Sequence, residues 1–231
     1  VNRTFTSIAI VTGFPHIWQP HLPHAVMAGD SDVLALGDTP FDLVIHAMSL
    51  HVANDPVGQL IQCKQMLKPD GLFMASSFGG QTLSELRTSI TAAEIQIRGG
   101  ISPRVSPMAE LKDMGGLLQR AGFALPVADN LVIPVAHRDL AHLAHDLRTM
   151  GETNVMAARS KAWVGRKMFD LAGELFKSEH SDDAGRLVSS FELIFLSGWA
   201  PDESQPKPLR PGSVSKSLLD ALEDAKNQSL D

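Results

Sequence analysis

The stretch that decides the fold is residues 41–77, which reads FDLVIHAMSLHVANDPVGQLIQCKQMLKPDGLFMASS. It begins with one apolar run, 41–47, and ends with a second, 72–77, and neither run alternates with polar residues. Unalternating apolar runs are typical of strands in a parallel sheet that is covered on both faces. The stretch therefore predicts two parallel strands joined by a crossover.

The crossover between these two strands is predicted to be a helix. Asp55 is a suitable N-cap, and Pro56 fits the first helical position because its missing N–H needs no partner there. Apolar residues then recur with helical spacing. The segment Lys68-Pro69-Asp70-Gly71 is expected to end the helix and turn the chain.

The alternation of strands and helices continues outward in both directions. Strands are predicted at 7–11, 25–28, 131–135 and 187–196, and helices at 82–98, 106–121, 139–150 and 160–178. Thr82-Leu83-Ser84-Glu85 has the pattern of a capping box at the start of one helix. This order predicts an α/β fold with a doubly wound, mostly parallel sheet and helices on both faces.

The domain organisation follows from a change in composition near the C-terminus. Residues 1–200 are interpreted as one domain. From Pro201 the chain becomes rich in Pro, Ser, Lys and Asp. Residues 201–231 are therefore interpreted as a Pro-rich C-terminal tail with a short helix near 217–226.

Composition and charge exclude several classes of protein. The 231 residues are 44% hydrophobic and 20% charged, which is ordinary globular composition. A formal net charge of −6 argues against a general nucleic-acid binder, which needs clustered Lys and Arg. No apolar run reaches the roughly 20 residues of a membrane-spanning helix. Cys63 is the only cysteine, so no internal disulfide forms and a reducing compartment is favoured.

Doubly wound sheets bind ligands at the carboxyl ends of their strands. The positions where such a site is expected are Thr12-Gly13, Gly29 to Asp32, Ala47 to His51 and Ser76 to Gly80. An aspartate such as Asp30 can accept a hydrogen bond from an exocyclic amine, and Ser31 adds a hydroxyl. A turn aspartate that bonds its own backbone is the alternative interpretation.

Histidines offer the clearest acid–base chemistry. His46, Ser49 and His51 cluster after the strand at 41–47, and a histidine there is suited to general-base work. Packing of His51 against the next helix is the alternative. His142 and His145, with His137 upstream, could ligate a metal, but no HExxH pattern occurs. A solvated or partly buried helix face is the favoured interpretation, so no metal site is predicted.

A loop and two flanking segments complete the candidate site residues. Arg104 stands in a loop shaped by Gly99-Gly100 and Pro103, and its guanidinium is suited to carboxylate recognition. Gly79 and Gly80 give a flexible exit from the strand at 72–77. Trp199 precedes the Pro-rich segment, which could fold back over the site or wrap on its own domain.

Several segments together resemble one methyltransferase-like family. They are FDLVIHAMSLHVANDP, LKPDGLFMASSFGGQTLSELRTSITAAE, GGISPRVSPMAELKDMGGLLQRAGF and GWAPDESQPKPLRPGS. The mitochondrial members of that family are complex I assembly factors described as protein-arginine hydroxylases. Its bacterial members are similar to the malonyl-carrier-protein O-methyltransferase of biotin synthesis. The resemblance covers the chain from about Ala25 onward and implies a Rossmann-like, class I methyltransferase fold.

The resemblance also assigns roles to individual residues. It implies that Asp30 and Ser31 face the adenine of S-adenosylmethionine. It implies that the end of the strand at 41–47 lines the cofactor pocket, through Ala47, Ser49, Leu50 and His51. His51 is the candidate catalytic base, and Val52 stands where the family usually has Trp. The substrate side is assigned to Arg104, Gly79, Gly80 and Trp199.

The N-terminal part departs from the family pattern. The family's first strand leads into a glycine-rich loop that cradles the methionine part of the cofactor, and an acidic residue after the second strand holds the ribose. If residues 7–11 are the second strand, Thr12-Gly13 replaces that acidic residue; this interpretation is preferred. If they are the first strand, Thr12-Gly13-Phe14 is a poor glycine loop. Either way, binding of S-adenosylmethionine is expected to be weak or absent.

Three functions remain open at this point. One is an S-adenosylmethionine-dependent methyltransferase acting on a small-molecule or protein substrate. Another is hydroxylation of an arginine on a partner protein, for which the sequence shows no two-histidine, one-carboxylate pattern. The third is a non-catalytic assembly factor that binds a respiratory-complex subunit. The resemblance implies a bacterial cytoplasm or a mitochondrial matrix.

Overall fold

The computed structural model of the chain describes residues 3–161 and 164–206, so the helix predicted near 217–226 lies outside the described residues. The strands are β1 (Ile8–Val11), β2 (Val26–Ala28), β3 (Phe41–Ala47), β4 (Leu67–Phe78), β5 (Ala124–His137) and β6 (Leu187–Trp199). The helices are α1 (Pro15–Trp18), α2 (Pro56–Gln65), α3 (Ser84–Arg98), α4 (Leu111–Ala121), α5 (Leu140–Thr149) and α6 (Arg166–Glu179).

The strands form one six-stranded sheet in the order β2-β1-β3-β4-β6-β5. The first four are parallel to one another, whereas β6 runs antiparallel to both β4 and β5. Two buried clusters cover the sheet: α2 and α4 pack in one with Phe73, and α3, α5 and α6 pack in the other with Phe78 and Phe191. The α/β prediction is therefore confirmed.

Strand β1 lies directly beside β3, with Ile8 opposite Leu43 and Val11 opposite His46. Strand β2 lies on its outer side. In the doubly wound order this inner place belongs to the first strand, and the strand order reverses next to it. The order alone does not distinguish the two interpretations, because without the family's first strand its second strand would also lie beside β3; residues 7–11 as the second strand therefore stay a prediction. In both cases β1 borders the point where the strand order reverses. The turn Thr12-Gly13 consequently sits at the point where such sheets bind ligands.

The predicted helix after Asp55 is confirmed, but its end is not. The Asp55 carboxylate accepts a hydrogen bond from the Gly58 N–H at 2.8 Å, which caps α2. The helix ends at Gln65, and LKPDG belongs to β4 rather than to a turn. Leu67 pairs with Phe41, and the register then shifts before Leu72. The predicted turn is thus an irregular start of the strand.

The capping box predicted at Thr82 is wrong. The residue before α3 is Leu83, with a φ of 56° and no side-chain cap. The Thr82 hydroxyl instead accepts a hydrogen bond from the Glu192 N–H at 3.0 Å, and the Glu85 carboxylate accepts one from the Ser190 N–H at 3.1 Å. Both side chains therefore accept hydrogen bonds from the backbone of β6. These partners are distant in the sequence, so a local pattern cannot predict them.

Other boundaries differ in length rather than in type. Helices α4 and α6 begin at Leu111 and Arg166, later than predicted. Strand β5 is longer than predicted because β6 pairs with it from Ala124 to His137. Within the described ranges, the helices are all too short or too polar to cross a membrane.

Candidate functional site

The carboxyl ends of β1 and β2 bring Gly13 and Asp30 together. The Thr12 N–H donates to the Ala28 carbonyl at 3.0 Å, which continues the pairing of the two strands into their turns. A Cβ atom on Gly13 would lie 3.1 Å from Asp30 Oδ2, so the glycine leaves room for that carboxylate. Asp30 itself is half-buried. The two turns thus meet at one corner, which carries the Asp30 carboxylate.

A buried glutamine ties this corner to β3. Gln59 on α2 donates through Nε2 to the carbonyls of Asp30 at 2.9 Å and Ser31 at 3.1 Å. Its Oε1 lies 2.8 Å from His46 Nε2. Because the amide nitrogen already donates to two carbonyls, Oε1 must accept, and His46 carries its proton on Nε2. No sequence pattern pointed to Gln59.

His46 is therefore a neutral imidazole with a free lone pair on Nδ1. Burial lowers the pKa of His46 below its ordinary value of 6.5, against the opposing effect of the Gln59 hydrogen bond. Asp30 and His51 are both close enough for their charges to act on it. The corner thus combines the Asp30 carboxylate with a neutral imidazole rather than an imidazolium.

Buried polar atoms without a partner cluster at the end of β3. In the described part of the chain four buried side-chain atoms lack a hydrogen bond, and three of them are His46 Nδ1, Ser49 Oγ and His51 Nδ1. An unsatisfied buried group costs about 1–3 kcal/mol, so three within six positions need an explanation. A polar ligand that bonds them would remove that cost.

The backbone is strained at the same place. Met48 has a φ of 52°, in the left-handed region that non-glycine residues rarely adopt. Its N–H donates to the Ser76 carbonyl at 2.9 Å on β4, which holds this conformation. Strain of this kind clusters at binding sites, where the surrounding structure over-determines it. The turn after β3 is therefore held in a locally unfavourable conformation by its contact with β4, and this conformation fixes the positions of Ser49 and His51.

His51 forms a buried pair with a carboxylate. Its Nε2 lies 3.1 and 3.2 Å from the two carboxylate oxygens of Glu152, and its side chain is only 1% exposed. The ring also makes an edge contact with Phe78, with centroids 5.0 Å apart. A carboxylate on one ring nitrogen directs the proton there and leaves the other as a base. The available base atom is therefore His51 Nδ1.

Glu152 belongs to a short connection that sequence reasoning missed. Gly151, with a φ of 83°, follows α5 and packs so closely on Phe14 that a Cβ there would lie 2.7 Å from the ring. The Asn154 amide donates to the carbonyls of Pro103 and Arg104 at 2.9 and 3.0 Å. Residues 151–154 therefore connect the turn after β1, the end of β3 and the loop that carries Arg104.

Arg104 is not a free cation. Its Nη2 lies 2.7 Å from Oε1 of Glu94, and the two side chains are only 9% and 4% exposed. Burial opposes ionisation of Glu94, but hydrogen bonds from Arg104 and Ser102 lower its pKa to about 2. The guanidinium predicted to recognise a substrate carboxylate is thus neutralised by a carboxylate of the protein.

Gly79 and Gly80 allow a buried carboxylate to approach the backbone. A Cβ on Gly79 would lie 2.6 Å from Glu192 Oε2, and a Cβ on Gly80 would collide with the carboxylate of Glu110. Glu192 is 1% exposed and accepts from the Gln81 N–H at 2.9 Å. Glycine is therefore needed at both positions because a larger side chain would collide with these carboxylates. The sequence predicted only a flexible exit from the strand.

Trp199 lies toward the amino ends of the parallel strands, away from the site at their carboxyl ends. It pairs with Leu72 in the first half of β4, because β6 runs antiparallel to β4. The guanidinium of Arg3 lies 5.8 Å from the centre of its ring. The last strand thus carries Trp199 away from the carboxyl ends of β1 and β3, and its predicted substrate role stays a prediction.

An apolar cavity of about 550 Å³ adjoins the His51 pair through Phe78. The ring of Phe78 contacts His51 on one side and Phe191 on the other, with a centroid distance of 5.8 Å to the latter. The cavity is lined by Phe78, Ile133, Val135, His137, Asp146, Thr149, Met150, Phe191 and Leu193. The site thus has a polar part at the carboxyl ends of the strands and an apolar part beside it.

The fold is that of the class I methyltransferases. Residues 8–75 match the family model of the methyltransferase domain. The chain superposes on a Bacillus halodurans structure described as a candidate methyltransferase, with a TM-score of 0.57, 11% identity, and coverage of 87% of this chain and 95% of that one. It superposes on the YcgJ protein of Bacillus subtilis with a TM-score of 0.52, 9% identity, and coverage of 85% and 92%.

Among curated proteins, the chain is similar to two groups. It is 35% identical over 208 residues to the zebrafish protein named arginine-hydroxylase NDUFAF5, mitochondrial, covering 90% of this chain and 64% of that protein. The human protein of that name is 35% identical, with 87% and 58% covered. The malonyl-[acyl-carrier protein] O-methyltransferase of Xylella fastidiosa is 30% identical, with 80% and 60% covered. The chain thus spans less than two thirds of the length of these relatives.

Proposed function

We propose that this chain is the core of an S-adenosylmethionine-dependent methyltransferase, with the adenosine part of the cofactor at the corner of Gly13, Asp30 and the end of β3. The observation that carries the proposal is the group of buried, unpartnered polar atoms on His46, Ser49 and His51. They lie where the methyltransferase fold binds its cofactor, at the carboxyl ends of the strands beside the reversal of strand order.

The donors and acceptors at this corner suit an adenosine. The Asp30 carboxylate accepts hydrogen bonds from an exocyclic amine or a hydroxyl, and His46 Nδ1 accepts one more. Ser31 is less suited, because its hydroxyl already donates to the Val33 carbonyl at 2.8 Å. The turn after β1 contributes a single glycine, and the Thr12 hydroxyl accepts from the Phe14 N–H at 3.1 Å. We therefore expect a weak affinity.

The bound cofactor would supply an electrophilic methyl group, and the residues of the chain would prepare the nucleophile. His51 Nδ1 accepts a proton from the attacking hydroxyl, carboxyl or amine of the substrate. Glu152 holds the ring and stabilises the imidazolium that results, as a carboxylate does for a catalytic histidine in other enzymes. The apolar cavity beyond Phe78 takes an apolar part of a small-molecule or protein substrate.

Calorimetric titration with S-adenosylmethionine and S-adenosylhomocysteine tests this proposal. Asp30→Asn should weaken binding about tenfold or more, since the carboxylate loses its charge toward the ligand. Asp32→Asn is the matched control, because Asp32 lies two positions further along the same turn, is exposed, and accepts a hydrogen bond from the Asn54 side chain at 3.2 Å. Equal loss in both variants, or no binding by the folded parent chain, would contradict the proposal.

A second function is proposed because the identity to the arginine hydroxylases, 35%, exceeds the 30% to the O-methyltransferase. In that case the chain acts on, or assembles with, a protein partner, and the family resemblance makes a respiratory-complex subunit the expected partner. The bacterial cytoplasm or the mitochondrial matrix is the expected location. Retention of a subunit-derived arginine peptide without any affinity for S-adenosylmethionine would favour this function over methyl transfer.

A further inference from the structure

We propose that His137, His142 and Asp146 form a binding site for a divalent first-row transition-metal ion on the wall of the apolar cavity. His137 is the last residue of β5, and His142 and Asp146 lie one turn apart on α5. One nitrogen of each imidazole and one carboxylate oxygen all lie within 4.8 Å of one another. Two imidazoles and one carboxylate are a donor set that Fe²⁺ and Zn²⁺ use in proteins.

Asp146 lies between the two imidazoles. One of its oxygens is 3.0 Å from His137 Nδ1, and the other is 3.8 Å from His142 Nε2. The second distance is too long for a hydrogen bond. The centres of the two rings are 5.9 Å apart. A single ion bound by all three side chains would need only small side-chain rotations from this arrangement.

The hydrogen bonds of His137 favour a cation beside its Nδ1. Its Nε2 lies 2.9 Å from Oγ of Ser189, which is itself fully buried. The Ser189 hydroxyl also lies 3.5 Å from the Val135 carbonyl, so it can accept from His137 Nε2–H and donate to that carbonyl. In that tautomer the lone pair of Nδ1 faces the Asp146 carboxylate at 3.0 Å, and a metal ion takes the place of the proton that this carboxylate otherwise holds on Nδ1.

The arrangement around His137 is also the one that metal-binding histidines use. A ligating imidazole donates its other N–H to a protein acceptor, which fixes the tautomer and the ring orientation. Ser189 serves this purpose here, from the neighbouring strand β6. The geometry therefore provides both the ligands and the support for one of them.

The ion would have open coordination positions toward the cavity. His137 and Asp146 are part of the wall of the 550 Å³ cavity. Phe78, at another part of the same wall, contacts His51. A metal with three protein ligands keeps further positions for an oxygen or nitrogen of a bound molecule. The proposed ion would thus bind a polar group of whatever occupies the apolar part of the site, independently of methyl transfer.

Metal titration of the chelator-treated chain tests the site. Zn²⁺ should bind with one equivalent of high affinity by calorimetry, and Co²⁺ should give a visible absorption band of a nitrogen- and oxygen-ligated ion. His142→Ala and Asp146→Asn should each weaken Zn²⁺ binding about tenfold or more and remove the Co²⁺ band. His145→Ala is the matched control, because His145 is exposed on the same helix and outside the cluster.

Circular dichroism of each variant establishes that the fold persists, and His142→Ala is chosen first because His142 is only half-buried. Unchanged Zn²⁺ affinity in both cluster variants would overturn the proposal, as would an equal loss in His145→Ala. Failure of the parent chain to bind Zn²⁺ or Co²⁺ would mean that a proton alone lies between His137 and Asp146, and that no metal site exists here.

Discussion

The carboxylate of Glu152 lies 3.1 Å from Nε2 of His51, although 101 positions separate the two residues in the sequence. The contact joins the connection after α5 to the turn after β3. It buries a charged group beside an imidazole that is closed to solvent. A pair of this kind contributes to both stability and acid–base chemistry, so each role can be tested separately.

Removal of Glu152 should destabilise the chain. In Glu152→Ala the buried His51 N–H loses its acceptor, and the free energy of unfolding should fall by about 1–3 kcal/mol. Glu152→Gln keeps an acceptor oxygen and should recover most of that loss. Urea unfolding measures both variants, with Glu174→Ala on the exposed face of α6 as the control expected to stay within about 0.5 kcal/mol. If Glu152→Ala and Glu174→Ala lower the free energy of unfolding equally, the pair of His51 and Glu152 does not stabilise the fold.

Gln59 should be needed for the shape of the cofactor corner. Gln59→Met keeps the volume but leaves the His46 N–H and the carbonyls of Asp30 and Ser31 without their partner, so unfolding should become easier by about 1–3 kcal/mol. Affinity for S-adenosylhomocysteine should fall as well. Gln65→Met, at an exposed position of the same helix, is the control. If Gln59→Met is as stable as Gln65→Met, the hydrogen bonds of Gln59 to His46, Asp30 and Ser31 do not stabilise the corner.

Stability at acidic pH should depend on Glu94. Its pKa is lowered from 4.5 to about 2 in the folded chain, so the unfolded chain binds the proton more readily. The resulting stabilisation, at most roughly 3 kcal/mol, is complete above pH 4.5 and is lost as the pH falls toward 2. Thermal unfolding between pH 6 and pH 2 should show this loss for the parent chain. Glu94→Gln should be less stable than the parent chain at pH 6 and should lose less stability between pH 6 and pH 2. If the stability of both proteins changes with pH in parallel, the stabilisation does not come from ionisation of Glu94.

Two glycine-to-alanine changes should have opposite signs. Gly151→Ala places a side chain at a φ of 83° and against the ring of Phe14, so it should destabilise by about 1 kcal/mol or more. Gly116→Ala lies within α4, where a Cβ meets no atom within 4 Å, and should stabilise by about 0.5–1 kcal/mol. Melting temperatures of the two variants check the pair, and shifts of the same sign would show that the contact with Phe14 does not restrict residue 151.

The sequence predicted those parts of the fold that depend on local pattern. The strand at 41–47 and the Asp55 cap follow from neighbouring residues, and both are confirmed. The capping box at Thr82 failed because Glu192, 110 positions away, bonds the same hydroxyl. The irregular start of β4 at Leu67 was missed because its register is set by pairing with Phe41.

The same distinction holds for the candidate site. Asp30 and His51 were predicted as site residues because each follows a strand. The parallel pairing brings the carboxyl ends of these strands to the same side of the sheet. Glu152 gave no signal beyond following the glycine at the end of α5. The pair of His142 with Asp146 at helical spacing was readable, but its third member, His137, approaches only because β5 ends where α5 begins. The sequence pattern had pointed to His145, which is exposed and lies outside the cluster.

The outer position of β5 in the sheet has a consequence for the behaviour of the chain in concentrated solution. An unpaired strand edge is a template on which copies of a protein can join their sheets and aggregate. Pro126 and Pro134 both lie within β5, and neither has an N–H to offer an incoming strand. Exposed apolar residues such as Leu131 and Val132 would otherwise favour such growth. Each proline thus removes one hydrogen-bond donor from the edge that β5 offers, which opposes its pairing with another copy of the chain.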